Sequence, residues 1–456
     1  MIKGLSRDEF VKILHTHLSP TSPIQSQEHL FGRHKQVQLI EQALCAPGRS
    51  IFIYGDRGVG KTSVAQTIAY SHQSASNNPV LLACTPQTTF EGLMADALAG
   101  LKGQEIVKST VTNSGKLGWK EFGVEGSRTQ INEVVPRIEA VAWDLNSIVT
   151  SLLEVAEARK NQNTVVVVDE FDRIDNDEER GHFADFIKQV GDQRVPVRFV
   201  FCGVAESMQK LLGAHGSCYR YLDGIELKTL GYEARFDIID NAAKALRVTV
   251  DNRPRYRIAA ISDGFPHYIH RMCEQLFWQM FNDPLPCDAP THDHYREAVA
   301  QSVLSIEQHL KTTYEQAVMK SASGYEQVLW AVADHADFIR NTESIHASYT
   351  SLMDSLEEED EEFMLDRPTV VARLNALKGK SCGHILAIHK KGWYQFRENI
   401  MRGYVRLRAE EQGCELALDY SAATSASPAL TWRPRAARRG RVGTTPRDWE
   451  KLRNTP

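Results

Sequence analysis

What this sequence lacks narrows its class before any motif is read. Nowhere in its 456 residues do about 18 apolar residues run together, which excludes a membrane-spanning helix. The opening residues, MIKGLSRDEFVKILHTHL, set Asp8, Glu9 and Lys12 where a secretory signal needs an unbroken apolar stretch, so a cytoplasmic location without membrane partners is expected. Its eight cysteines include no Cys-x-x-Cys pair, and free, mostly buried thiols are expected in place of a disulfide framework. A dominant charge is missing too. The 53 Lys and Arg face 58 Asp and Glu, a formal net charge of -5, so any contact with nucleic acid must come from a local patch. No internal repeat is visible. What remains, 42% hydrophobic and 24% charged residues, is ordinary for soluble globular chains, and the length calls for more than one domain.

From Leu30 to about Leu230, short apolar runs alternate with amphipathic helical stretches. Ile51–Tyr54, Val80–Ala83, Val165–Val168 and Phe199–Phe201 are too short for helices and rich in β-branched or aromatic residues; each reads as a buried strand. Strands alternating with helices imply an α/β fold with a parallel sheet covered on both faces. Within it, a segment at about 106–130 has no helical period, and its Gly115, Gly118, Gly123 and Gly126 suggest inserted hairpins. Helical patterns follow, including HYREAVAQSVLSIEQHL, read as one helix. Beyond Gly324 come helices near Tyr325–Ala336 and Ile345–Leu356, then a third from Arg367 to Leu377 with Asp366 as N-cap and Pro368 in its first turn. A hairpin around Lys391-Gly392 and a last helix complete a winged-helix pattern. The chemistry concentrates earlier.

The strand Ile51–Tyr54 runs into Gly55-Asp56-Arg57-Gly58-Val59-Gly60-Lys61-Thr62-Ser63 and then a helix. This is the Walker A pattern G-x-x-x-x-G-K-T in strand–loop–helix context. Its glycines let backbone N–H groups converge on phosphate oxygens, and the helix N-terminus adds a positive dipole end. Lys61 is placed to reach the β- and γ-phosphates of ATP, and Thr62 to ligate Mg²⁺. The second half of such a site is an acidic strand end, the Walker B element, supplied by Val165–Val168 followed by Asp169-Glu170. Asp169 is the expected Mg²⁺ ligand and Glu170 the base for the attacking water. Asp172, Asp175 and Asp177 read as a solvated polar stretch.

Gly32-Arg33 ahead of an amphipathic helix, the GKT loop, DEFD, and a fourth strand entering FCGVAES resemble the AAA+ superfamily. The likeness is to its initiator-related group: origin-recognition-like, ExeA-type and TniB-type ATPases. It spans roughly Leu30 to Phe281 and implies a P-loop sheet, a helical lid and an oligomer. Glu206 in Gly203-Val204-Ala205-Glu206 falls in the sensor-1 region, where many relatives carry Asn or Thr. Arg220, in SCYRYLDGIELKTL, corresponds to an arginine finger offered to a neighbouring subunit. GFPHYIHR resembles the sensor-2 segment, with His267 at the usual arginine position and Arg271 one turn later.

His292-Asp293-His294 near Cys287 matches no common zinc spacing and reads as helix capping. Lys116, Trp119, Lys120 and Phe122 in the insertion, Arg373, Lys378, Lys380, Lys390 and Lys391 in the winged helix, and Arg433, Arg435, Arg438, Arg439 and Arg441 in the tail are candidate DNA contacts. The acidic run Glu357–Glu362 favours a protein partner instead. The expected layout is an N-terminal helix and linker (1–29), an AAA+ nucleotide domain (30–230), a lid and connector (231–320), a winged helix (321–412) and a basic tail (413–456). The expected function is an ATP-dependent switch that assembles subunits and binds DNA or recruits a partner, of the initiator or transposition-regulator kind. The alternative is a STAND-like signalling or anti-phage defence ATPase that controls an effector protein.

Overall fold

The computed structural model describes residues 2, 4–20, 26–73, 78–103, 144–159, 163–214, 218–320, 322–355 and 364–416. The expected insertion hairpins, the acidic run and the arginine-rich tail lie outside these residues. The chain divides into two compact units, Met1–Leu304 and Ser305–Pro456.

The first unit opens with helix α1 (Arg7–His17), whose N-cap Ser6 and Glu9 form a reciprocal capping box. Then come α2 (His34–Cys45), β1 (Ser50–Tyr54), α3 (Lys61–His72), β2 (Val80–Ala83), α4 (Phe90–Leu101) and α5 (Leu145–Ala158). They lead to β3 (Thr164–Asp169), α6 (Asp177–Asp192), β4 (Val197–Gly203), α7 (Ala205–Ala214) and β5 (Leu222–Glu226). The strands pair in the order β2-β3-β4-β1-β5, and every pairing is parallel. Strands this apolar are buried on both faces, as parallel crossovers require; all of Val165–Val168 is 1% exposed or less. A ring cluster stiffens one face, with Phe171 edge-on to Phe52, Phe183 and Phe201 at centroid distances of 5.1–5.7 Å. This core fixes the carboxyl ends of β1 and β3 on either side of β4. A helical layer follows: α8 (Tyr232–Ala245), α9 (Asn252–Ile261), α10 (Pro266–Asn282) and α11 (His292–Leu304).

The second unit holds α12 (Gln308–Val318), α13 (Tyr325–Ala333), β6 (Arg340–Asn341), α14 (Thr342–Ser355), α15 (Arg367–Ala376), β7 (Leu386–Lys390), β8 (Trp393–Phe396) and α16 (Ile400–Glu411). Its sheet is antiparallel in the order β6-β8-β7. Asp366 caps α15 by accepting from the Thr369 N–H, and Pro368 sits in the first turn. Two details differ from expectation. The stretch HYREAVAQSVLSIEQHL is two helices, because the chain leaves helical geometry at Glu307, φ -55°, ψ 132°. The two-residue strand β6 carries no alternation long enough to announce it.

All eight cysteines are free thiols and six are buried. Burial pushes the Cys84 thiol up to about 12, with the nearby Asp169 carboxylate acting in the same direction.

Candidate functional site

The loop after β1 needs glycine for steric reasons. A Cβ at Gly55 would lie 2.1 Å from the Leu227 carbonyl oxygen, closer than any real contact allows. Gly60 starts α3 in the left-handed region at φ 93°, which L side chains rarely adopt. Between them the loop turns back, and Lys61 Nζ donates to the carbonyl oxygens of Gly55 (2.9 Å) and Asp56 (2.8 Å). Burial lowers the Lys61 pKa, while Asp172, Cys202, Asp169 and Asp56 pull the other way. An ammonium so placed is little screened by water, which strengthens its pull on an incoming phosphate.

Thr62 and Asp169 meet across the sheet. Thr62 Oγ1 donates to Asp169 Oδ2 at 2.6 Å, joining the start of α3 to the end of β3. Hydroxyl and carboxylate oxygens are the hard donors that Mg²⁺ takes, so these residues fit that ion. Glu170, the next residue, sits at φ 54° and ψ 36°. Its backbone N–H donates to Asp169 Oδ1 (2.8 Å), and its carboxylate accepts from Arg173 Nη1 (2.9 Å). A glutamate in the left-handed region costs of order 1 kcal/mol or more, a strain characteristic of functional positions.

Three neighbours of this centre escaped the sequence reading. Asp172 is no solvated acid: its side chain is only 15% exposed and takes Arg57 Nη2 at 3.3 Å. The loop is thereby tied to the segment after β3. Arg33, 5% exposed, donates to the Val59 carbonyl at 2.8 Å, and burial lowers its pKa to about 10. Beside the loop lies a mostly apolar cavity, lined among others by Leu30, Arg33, Gly60, Leu230, Pro266 and His270. The resemblance that placed Gly32-Arg33 ahead of α2 was the one signal pointing to it.

The remaining expected site residues make their contacts elsewhere. Glu206 is exposed in the first turn of α7 and pairs with Lys210 at 2.7 Å, which lowers its pKa. Arg220 is exposed at the end of a short turn (Cys218–Arg220) before β5. Arg271 on α10 forms a largely buried pair with Glu274 at 2.9 Å. His267 Nδ1 donates to the Pro20 carbonyl at 2.8 Å. Asp283, Cys287 and His294 bring their ligand atoms within 4.8 Å of one another. There the Thr291 N–H donates to His294 Nδ1 (3.1 Å), which puts the ring proton on Nε2, facing Asp283 (2.7 Å). A metal at Nε2 would need the opposite tautomer. With Thr291 Oγ1 accepting from the His294 N–H, the cluster is a capped helix start.

This geometry has counterparts among known proteins. Residues 29–200 match the AAA ATPase domain family. Among solved structures, the Walker-type ATPase PABY2304 of Pyrococcus abyssi superposes with a TM-score of 0.51 at 14% identity, covering 85% of this chain and 99% of that one. The Aeropyrum pernix ORC2 protein gives a TM-score of 0.45 at 12% identity, with 92% and 99% covered. The Aeropyrum pernix ORC1 protein in complex with DNA gives 0.41 at 13%, with 84% and 93% covered. No curated protein matches. The first unit has the α/β P-loop fold of AAA+ ATPases. The protein is an ATP-hydrolysing enzyme. No described helix is long and apolar enough to cross a membrane.

Proposed function

We propose that the protein is an oligomeric, ATP-driven switch of the initiator-related AAA+ kind, acting on DNA through its C-terminal unit. The observation that carries the nucleotide half is the Thr62–Asp169 bond beside the half-buried Lys61, at the carboxyl ends of β1 and β3, which flank β4. Thr62 and Asp169 would hold Mg²⁺, which supplies charge neutralisation on the phosphates. The γ-phosphate oxygens replace the Gly55 and Asp56 carbonyls as acceptors for Lys61. The residues from Gly55 to Ser63 cradle the phosphates, and the base occupies the cavity between Leu30 and Pro266. Glu170 gives up Arg173 to accept a proton from the attacking water. Arg220, exposed on its turn, reaches the nucleotide of a neighbouring subunit. Lys61→Ala should abolish ATP binding in calorimetry, whereas Glu170→Gln should bind ATP normally and lose turnover by about 10²-fold or more. Unchanged affinity in the first variant, or wild-type turnover in the second, overturns these assignments.

The DNA half rests on the second unit, which we read as a winged helix with β7 and β8 as its wing. Ile388 is 47% exposed near the tip, and Lys390 Nζ lies 4.3 Å from the Trp393 ring centroid. Basic and aromatic groups on one exposed hairpin suit a nucleic-acid backbone. The Lys390→Ala/Lys391→Ala double variant should reduce the slope of log affinity against log salt by about 1–2. If wild type binds no DNA at low salt with a non-hydrolysable ATP analogue, the unit serves protein contacts and the signalling or defence reading takes over.

A further inference from the structure

The N-terminal helix is built into the lid. Phe10 is completely buried, stacked on Phe281 at 4.3 Å and edge-on to Trp278 at 4.9 Å, both rings on α10. Leu14 and Leu18 are buried with it, and Arg7 lies over the outer face of Trp278 at 5.9 Å. Burial on this scale holds a helix of eleven residues that would not persist alone. The strand of chain after α1 then crosses the first turn of α10. There the Ser19 N–H donates to His270 Nδ1 at 3.4 Å, and the Pro20 carbonyl accepts from His267. These two histidines stand in the segment where the resemblance places a phosphate-sensing arginine, and here they hold backbone.

His270 has a second relation. It is 3% exposed, its Nε2 is buried without a hydrogen-bond partner, and it lines the cavity beside Arg33 and Gly60. The bond from Ser19 puts the ring proton on Nε2, so a residue in the wall of that cavity carries an unpartnered donor. A ligand with a ring-nitrogen acceptor, such as a purine, satisfies it. Burial and the neighbouring His267 and His29 keep the ring neutral, with its pKa lowered to about 4. One side chain thus belongs both to the seat of the N-terminal segment and to the wall of the nucleotide cavity.

We propose that docking of α1 on the lid and binding of ATP are coupled through His270, which acts as a positioning residue for the nucleotide. This inference rests on the cavity being the base site. Coupling between two binding events is reciprocal: if docked α1 raises ATP affinity by a given factor, ATP tightens α1 by the same factor. The His270 ring is the shared element, held in place by Ser19 only while α1 is seated.

The test uses the full chain with Phe10→Ala and Phe10→Asp, neither of which touches the cavity, together with His270→Asn and His270→Leu. Hydrogen exchange over residues 6–20 reports docking, and calorimetry with MgATP reports affinity. Undocked variants should bind ATP about fivefold or more weakly, with kcat at saturation within about twofold. In wild type, saturating MgATP should slow exchange across α1 by the same factor. His270→Asn, whose amide oxygen replaces Nδ1 as acceptor but whose NH2 does not reach the Nε2 position, should keep α1 docked and lose the coupling to ATP, and His270→Leu should lose both. Exchange in α1 that ignores bound ATP, or full ATP affinity in a variant whose α1 is open, overturns the coupling. Wild type that binds no ATP overturns the base-site reading first, and that outcome is distinct from ATP binding without coupling.

Discussion

At the scale of single residues, the site depends on a few positions where chemistry leaves no substitute. Gly55 is the clearest. The Leu227 N–H donates to the Tyr54 carbonyl at 2.7 Å, which brings the chain after β5 against the loop. Gly55→Ala would drive its methyl group into the Leu227 oxygen, so it should destabilise the first unit by about 1–3 kcal/mol. It should weaken ATP binding as well, because the loop can yield only by moving. A thermal melt and a nucleotide titration on that variant check both halves; a wild-type melting temperature would mean that the β5 segment gives way freely. The loop, Asp169 and Glu170 were legible in the sequence because a phosphate loop is local: strand, glycines, lysine and helix follow in order. Arg33 and His270 were not, since they reach the loop from 26 positions upstream and from the lid. Asp172 misled for the opposite reason. Its neighbours in sequence are polar, but Arg57, over a hundred positions away, covers it.

At the scale of elements, the lid carries a titratable weakness. His270 has its pKa lowered from 6.5 to about 4, and burial lowers that of His17, on the docked α1, too. Below pH 6.5 the unfolded chain binds protons that the folded lid refuses, so stability is complete above pH 6.5 and falls as the pH drops toward 4. His270 alone accounts for roughly 1.4 kcal/mol per pH unit in that window. Amide exchange in α10 should therefore quicken between pH 7 and pH 5 more than exchange in β3 and β4, which carry no histidine in their strands. Equal protection of both regions at pH 5 would sink the idea. The same helices show where periodicity misleads. Val303, Ile306 and Leu310 keep an i, i+3, i+7 apolar rhythm through the break between α11 and α12, because a turn that buries Ile306 preserves the pattern while ending the helix.

At the scale of the whole molecule, function requires more than one chain if Arg220 acts in trans. Arg220→Ala should then bind ATP normally and hydrolyse almost none. Mixed with Glu170→Gln, it should recover part of the wild-type rate, since some interfaces pair an intact finger with an intact base. Absence of recovery in subunits shown to co-assemble would place Arg220 in cis or outside catalysis.

The second unit has a schedule written into it. Arg402 and Arg406 on α16 are 2% and 1% exposed. They donate to the carbonyls of Ala333, His335, Ala336 and Asp337, where α13 ends. Those carbonyls are made 65–73 residues before their donors, a lag of roughly 3–15 s at 5–20 residues per second of synthesis. During that interval α13 has a raw end. The unit closes only when α16 leaves the ribosome, so a chain stalled before Arg402 is a target for chaperones rather than a partial domain.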